Sequence, residues 1–307
     1  MREIRPGRNK SAEHPWLGLF LKALAREDLS AVTVRGYRSD VLTFLSWYGA
    51  PLEQLAASDL AHFRQHLSRD RALKPASVNR KLEALRRFCR WAHAARKLRS
   101  NVAAGLKLKR VPRGMRPKSL TALEVQALLR AAGQTRRSLA QRNYALIQLL
   151  LQAGLRVSEA ARLQIEDLEI RERHGKAHIR GKGEKERNVP LNATARRALQ
   201  AYLEDRQHAG TGDPVFLSEN GAALSIRSIQ SLVSELARRA HITRVAVSAH
   251  TLRHTFALGY LKQNPGKLVE LATLLGHESL DTTAMYTLPA EEDLAEEVER
   301  GAYNIDA

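Results

Sequence analysis

A tyrosine hydroxyl ordinarily titrates near 10, so it becomes a nucleophile only where a neighbour takes its proton. In this 307-residue chain, the stretch LLGHESLDTTAMYT puts Tyr286 nine residues after His277. GLRVSE carries Arg156 and Glu159, HTLRH carries His250 and Arg253, and GKGEKERNVPL carries Lys182. Together these types can break a phosphodiester without a metal. Guanidinium groups are planar, permanently charged and bidentate, the shape that holds non-bridging phosphate oxygens. A lysine whose pKa is lowered by its surroundings can protonate the leaving 5′ oxygen.

Each residue alone has a simpler structural explanation. Arg156 and Glu159 have the i, i+3 spacing of a helix surface pair. His250 and Arg253 fit a helix start and a surface cation, Lys182 a solvated turn, and His277 a helix end. Tyr286 fits a core aromatic with its hydroxyl at the rim. Only the full set of residues points to chemistry. No carboxylate cluster suggests a metal, and no G-x-x-x-x-G-K-[ST] loop suggests a nucleotide. Neither a cofactor nor a metal is expected, because a phosphotyrosine would retain the energy of the broken bond.

These residues must be positioned by an ordered scaffold, and most of that scaffold reads as helix. Val34, Tyr37, Val41, Phe44, Leu45 and Tyr48 recur at helical steps, as do Val78, Leu82, Leu85, Phe88 and Ala92. Opposite the second stripe lie Arg80, Arg87 and Arg90, flanked by Lys81 and Arg86, a face that could follow a DNA backbone or simply be solvated. Thr121 and Glu124 form a capping box opening a helix toward Ala132. Further helices are expected over 139–151, stopped by Gly154, and over 157–163, 192–208, 226–240, 251–261, 267–275 and 294–300. Strand-like pieces at 177–180 and 188–190 flank Gly181-Lys182-Gly183-Glu184, a hairpin with its lysine near the tip.

The chain is long enough for two cores. KLKRVPRGMRPKS mixes Pro, Gly and six cations without apolar periodicity, so residues 110–119 read as a basic linker between a helical domain, 1–109, and a second domain, 120–307. The formal charge is +18 and lopsided: 26 basic against 9 acidic residues up to Ser119, then 24 against 23. Such a first half points to a polyanionic partner, because cations that neutralise phosphates release counterions. The lone Cys89 lies among apolar residues and suits a reducing compartment. The charged start MREIRPGRNK lacks the apolar run of a signal peptide, and nothing approaches a membrane span. A soluble, cytoplasmic protein with no membrane contact is expected.

In order and spacing, GLRVSEAARL, GKGEKERNVPL, HTLRHTFA and LLGHESLDTTAMYT resemble the tyrosine recombinase (phage integrase) family, most closely its bacterial Xer-like members. The resemblance covers nearly the whole chain. It implies a mainly α fold with a small β-hairpin or sheet, made of a helical, SAM-like core-binding domain and an α+β catalytic domain. It also implies a site-specific enzyme that cleaves and rejoins double-stranded DNA through a 3′-phosphotyrosyl intermediate. By the same resemblance Arg156 and Arg253 clamp the phosphate, His277 adds a hydrogen bond to it, and Lys182 is the general acid. His250 assists proton transfer at Tyr286, the nucleophile, while Glu159 orients Arg156. The family further implies a homo- or heterotetramer on two DNA sites, with the acidic segment after Ala290 docking into a neighbouring subunit. A type IB topoisomerase and a DNA-binding regulator descended from a recombinase are the competing readings.

Overall fold

Among the described residues of the first unit, four amphipathic helices form its core: α1 (Pro15–Leu24), α2 (Ala31–Tyr48), α3 (Ala57–Arg69) and α4 (Pro75–Ala94). The computed structural model describes residues 14–110, 117–181, 186–206 and 210–288. The division between its two units falls between Arg113 and Gly114.

In the first unit the sequence signals act locally. Ser30 accepts from the Thr33 amide to cap α2, and Gly49, at φ 66°, ends it in the left-handed conformation that glycine adopts without strain. Pro75 opens α4, where a missing N–H costs nothing. Phe20, Val41, Phe44, Leu60, Phe63, Leu82, Leu85 and Phe88 are fully buried in one cluster. Cys89 joins them, and burial pushes its thiol up to about 12, so it packs as an inert apolar group. The segment leaving this unit is tied back to it: Asn79 Nδ2 donates to the Lys109 carbonyl at 2.8 Å, and the Lys109 amide donates to Asn79 Oδ1 at 2.8 Å.

The cations of α4 are largely paired within the unit. Arg80 and Lys81 both bind the buried Asp40, Arg87 binds Glu27 and donates to the Tyr37 hydroxyl, and Arg86 binds Glu83 and the Leu106 carbonyl. Arg90 is exposed.

The second unit adds α5 (Ala122–Gly133), α6 (Arg137–Ala153), α7 (Val157–Arg162), α8 (Ala193–Glu204), α9 (Ile226–Arg239), α10 (Ala249–Gln263), α11 (Leu268–Leu275) and α12 (Leu280–Ala284). Its sheet is β1 (Leu168–Ile170), β2 (Gly175–Arg180) and β3 (Glu186–Pro190), antiparallel in that order. The expected hairpin is β2–β3, with Ala177 opposite Val189 and Arg180 opposite Glu186. Its tip, residues 182–185, lies outside the described residues, so Lys182 does too. β1 was not legible because three residues carry no readable alternation.

The Thr121–Glu124 capping box forms in both directions, at 2.8 and 3.2 Å. Gly154 terminates α6 at φ 60°, and a Cβ there would lie 2.3 Å from a Phe256 ring carbon. Only glycine fits so close an approach. Asn192 caps α8, which ends at Glu204, short of the expected 208, and Ser248 starts α10 earlier than expected. The expected helix over 294–300 lies outside the described residues. No helix among the described residues is long and apolar enough to cross a membrane.

Candidate active site

Three helix ends meet at the site, which is why side chains far apart in sequence converge. The C-terminus of α6 presents the Gly154 carbonyl, the C-terminus of α11 presents those of Leu274, Leu275 and Gly276, and Arg156 is the residue before α7. Carbonyls at helix C-termini lack intrahelical donors and carry partial negative charge, so they attract cations.

The arginines supply those donors. Arg156 Nη2 donates to the Gly276 carbonyl at 2.8 Å, and Arg187 Nε donates to that of Leu274 at 2.9 Å. Arg253 donates to Gly154 at 2.6 Å and to Leu275 at 2.7 Å. Glu159 is the carboxylate in their midst. It takes two hydrogen bonds from Arg187, both at 2.9 Å, one from Arg156 Nη1 at 2.9 Å, and one from the Arg156 amide at 2.8 Å. Burial alone would push the Glu159 carboxyl up. The Arg187 hydrogen bond, the Arg156 amide and the nearby positive charge outweigh it and hold the carboxyl below its usual range. Gly276, at φ 64°, leaves room for this network, since a Cβ there would lie 2.9 Å from Arg187 Nη1.

Arg253 is 4% exposed, and desolvation, followed by repulsion from Arg156, lowers its guanidinium to about 10. At neutral pH it remains a cation, held at a cost that a bound anion would offset. Its Nη2 lies 3.0 Å from His277 Nε2. A guanidinium can only donate, so His277 Nε2 accepts and its Nδ1 carries the proton toward Thr283 Oγ1, 2.8 Å away. Burial, then the charges of Arg253, Arg156 and Arg187, bring His277 down to about 4. His277 is thus neutral, and for its Nε2 to donate to a phosphate oxygen the Nδ1 proton must move to Nε2 and Arg253 must turn away.

An open cleft of about 770 Å³ is lined by Arg156, Glu159, Arg187, Gly276 and His277, with Arg180 and Ser279 among its other walls. Arg253 and Tyr286 are not on its wall. Tyr286 is 5% exposed and packs with Ala257, Leu258, Leu271 and Leu275. Burial raises its hydroxyl above the ordinary tyrosine value, while Arg253 and Arg156 pull it back. Among the described residues no three His, Cys, Asp or Glu side chains converge as metal ligands would.

Of the residues singled out from sequence, Arg156, Glu159, Arg253 and His277 therefore form one network, with Tyr286 close enough for two of its arginines to act on it. His250 does not meet the tyrosine hydroxyl. It lies exposed in the first turn of α10, its ring 6.4 Å from that of His254. The hydroxyl's partner is His254, whose Nδ1 is 2.9 Å away. Two contributors were thus missed, Arg187 and His254. A signal existed for both: Arg187 shares the inward face of β3 with buried Val189, and His254 is one helical turn from His250.

The comparisons with known proteins agree on a family. The profile of the "Phage integrase family" matches residues 118–293, and that of "Phage integrase, N-terminal SAM-like domain" matches residues 17–96. The "Tyrosine recombinase XerC" of Neisseria gonorrhoeae is 34% identical over 279 residues, covering 87% of this chain and 88% of its own. Two solved structures share the fold. The XerH site-specific recombinase bound to palindromic difH substrate, in a post-cleavage complex, aligns with TM-score 0.78 at 21% identity over 92% of this chain and 94% of its own. The Tn1549 transposon integrase in complex with transposon right end DNA aligns with TM-score 0.70 at 20% identity over 93% and 98%. With a helical first unit, a three-stranded sheet beside the cleft, and matches across both units, the chain belongs to the phage integrase family of tyrosine recombinases, enzymes of site-specific DNA recombination.

Proposed function

We propose that Tyr286 attacks a DNA phosphodiester held in the arginine-lined cleft, giving a 3′-phosphotyrosyl link, and that a 5′ hydroxyl from a second duplex resolves it. The observation that carries this reading is a cluster of cations: Arg156 and Arg187 share the carboxylate of Glu159, Arg253 faces two carbonyls and His277, and a tyrosine whose hydroxyl is hydrogen-bonded to a histidine lies beside them. Such a cluster of guanidiniums suits the anionic transition state of phosphoryl transfer. Arg156 and Arg253 offset charge on the five-coordinate phosphorus. Arg187 holds Glu159, and through it Arg156, in place. Lys182, which follows the cleft residues Arg180 and Gly181 in sequence, is the general acid toward the leaving 5′ oxygen.

The partner is double-stranded DNA. The +17 balance of the first 119 residues supports this, as does the Tn1549 integrase, which shares the fold and is solved in complex with DNA. Strand exchange between two duplexes needs four cleavages, hence four copies of the chain or of the chain and a related partner assembled on two sites. The acidic stretch from Glu291 to Glu299 is repelled by DNA and suits a protein contact within that assembly. The enzyme acts in the cytoplasm, where DNA is accessible and Cys89 stays reduced.

The test is covalent capture in the host. Protein denatured directly from cells and purified away from free DNA should carry DNA with one common junction sequence. Recovery of no DNA, or of DNA without a common junction, contradicts site-specific cleavage.

A further inference from the structure

The hydroxyl of Tyr286 must shed a proton to become a phosphate ester, and a side chain this buried cannot hand it directly to water. The hydroxyl meets His254 Nδ1 at 2.9 Å, with the two rings 5.6 Å apart and inclined by 58°. His254 follows Arg253 directly on α10 and is one helical turn from His250, so the two imidazoles share a face and stack with 28° between their planes. His250 is the outer, exposed ring, and His254 is the inner ring at the reacting oxygen.

We propose that His254 is the proton acceptor for Tyr286 in strand cleavage, a catalytic role that rests on the assignment of Tyr286 as nucleophile. As Oη attacks phosphorus, its O–H bond breaks and the proton passes to the lone pair of His254 Nδ1 while the Oη–P bond forms. The bond from phosphorus to the 5′ oxygen breaks with its electron pair on that oxygen, which takes a separate proton from Lys182. In rejoining, the incoming 5′ hydroxyl attacks and returns its proton to Lys182, and Nδ1 gives its proton back to Oη. The cycle balances without any co-reactant.

The step requires a neutral ring with Nδ1 free of hydrogen and Nε2 carrying it. Burial, then the neighbouring His250 and Arg253 of the same helix, keep His254 below 6.5, so the ring is neutral at pH 7. From the segment after α12 the facing group is Tyr286 itself, whose hydroxyl is raised by burial against the opposing pull of Arg253 and Arg156. With a weakened base and a weakened acid, the proton stays on oxygen at rest. It moves only as the Oη–P bond forms, which is the regime of general-base catalysis.

The experiment uses the full chain and a duplex bearing the junction recovered from cellular adducts, nicked so that cleavage releases a short fragment and traps the adduct. Wild type, His254→Asn and His254→Ala are compared in single turnovers. Asparagine carries an oxygen near the place of Nδ1, so it accepts the hydroxyl's hydrogen bond but cannot take its proton. Both variants are expected to form adduct about 100-fold more slowly, as for loss of a general base, with unchanged DNA affinity for His254→Asn. The wild-type rate is expected to fall as pH drops through a titration below 6.5, and the His254→Asn rate to lack that limb. His254→Asn cleaving as fast as wild type would reduce the contact to positioning, and a faster variant would make His254 a restraint on the tyrosine. Either overturns the proposal. A wild-type rate with no acid limb anywhere below pH 6.5 over the range in which the enzyme stays folded overturns it too, even if the variants do not fold. Wild type that forms no adduct at all on this duplex refutes the cleavage reading itself, an outcome distinct from the others.

Discussion

On α4 most cations face acids, whereas beside the cleft each arginine faces a helix-end carbonyl and only two of the three also reach an acid. Arg80 and Lys81 meet Asp40, Arg87 meets Glu27, and Arg86 meets Glu83. Around Gly154 and Leu274–Gly276, three arginines meet helix-end carbonyls, and two of them, Arg156 and Arg187, share Glu159. A counter-ion cancels a cation's field, but a carbonyl only orients it. The first arrangement stiffens a helix packing and spends much of its charge locally, while the second keeps charge unspent in a low-dielectric place where an anion is worth most. Net charge counted along the chain is therefore a poor guide to where phosphate chemistry takes place: the first half carries nearly all the excess, and the second half holds the cleft.

Removing single arginines separates the two regions most strongly. Arg253→Ala and Arg156→Ala are each expected to slow adduct formation roughly 10²–10³-fold, as for loss of an oxyanion donor. Arg87→Ala on α4 should leave the rate of DNA-saturated enzyme unchanged while weakening DNA binding modestly. Equal losses at Arg87 and Arg253 in single-turnover cleavage would erase the distinction.

Arg187→Ala sharpens it. The variant strips two hydrogen bonds from the buried Glu159, and breaking a buried pair from one side typically costs about 3 kcal/mol, readable by denaturant unfolding. Arg187→Lys keeps the charge without the two-pronged geometry, so it should restore only part of the stability and of the cleavage rate. Full restoration by lysine would mean that charge alone matters there.

The pH dependence of stability comes next in size. His277 is brought down to about 4 in the folded chain, so between 6.5 and 4 the unfolded chain binds the extra proton and folding loses ground as pH falls. The contribution is complete above about 6.5; the shift corresponds to roughly 3 kcal/mol, which solvent screening of this half-buried ring reduces to on the order of 2 kcal/mol. Replacing His277 by Asn should remove that part of the acid destabilisation, measured as unfolding free energy against pH. The smallest effect is sulfate binding to the cleft, expected to stabilise the wild type by about 1 kcal/mol at concentrations several times its dissociation constant and to vanish in Arg156→Ala.

The family resemblance, carried by motif order and spacing, singled out Arg156, Arg253, His277 and Tyr286, and the structure brings the first three together around helix ends that Gly154 and Gly276 terminate, with Tyr286 close by. What sequence could not show was who meets whom across the chain. Arg187 reaches Glu159 from another element 28 residues away, and the imidazole at Tyr286 is 32 residues from it. His250 was the expected partner, but Ser248 starts α10 early enough to put His250 in an exposed first turn and His254 one turn deeper. β1 and α12 escaped for a plainer reason. With three and five residues, neither completes enough periods to declare itself, although α12 supplies the Thr283 that fixes the proton on His277. The two helical stripes of the first unit were read correctly, since each buries a full face around phenylalanines.

In the proposed mechanism Tyr286 itself carries the DNA. It is tested most directly by trapping the adduct on a nicked duplex, digesting protein and DNA, and locating the residual nucleotide by peptide mass spectrometry. The expected result is a deoxynucleotide 3′-phosphate on Tyr286 in wild type, with no adduct from Tyr286→Phe even though that variant binds the duplex normally. A nucleotide on any other residue, or an adduct that persists in Tyr286→Phe, would contradict the account.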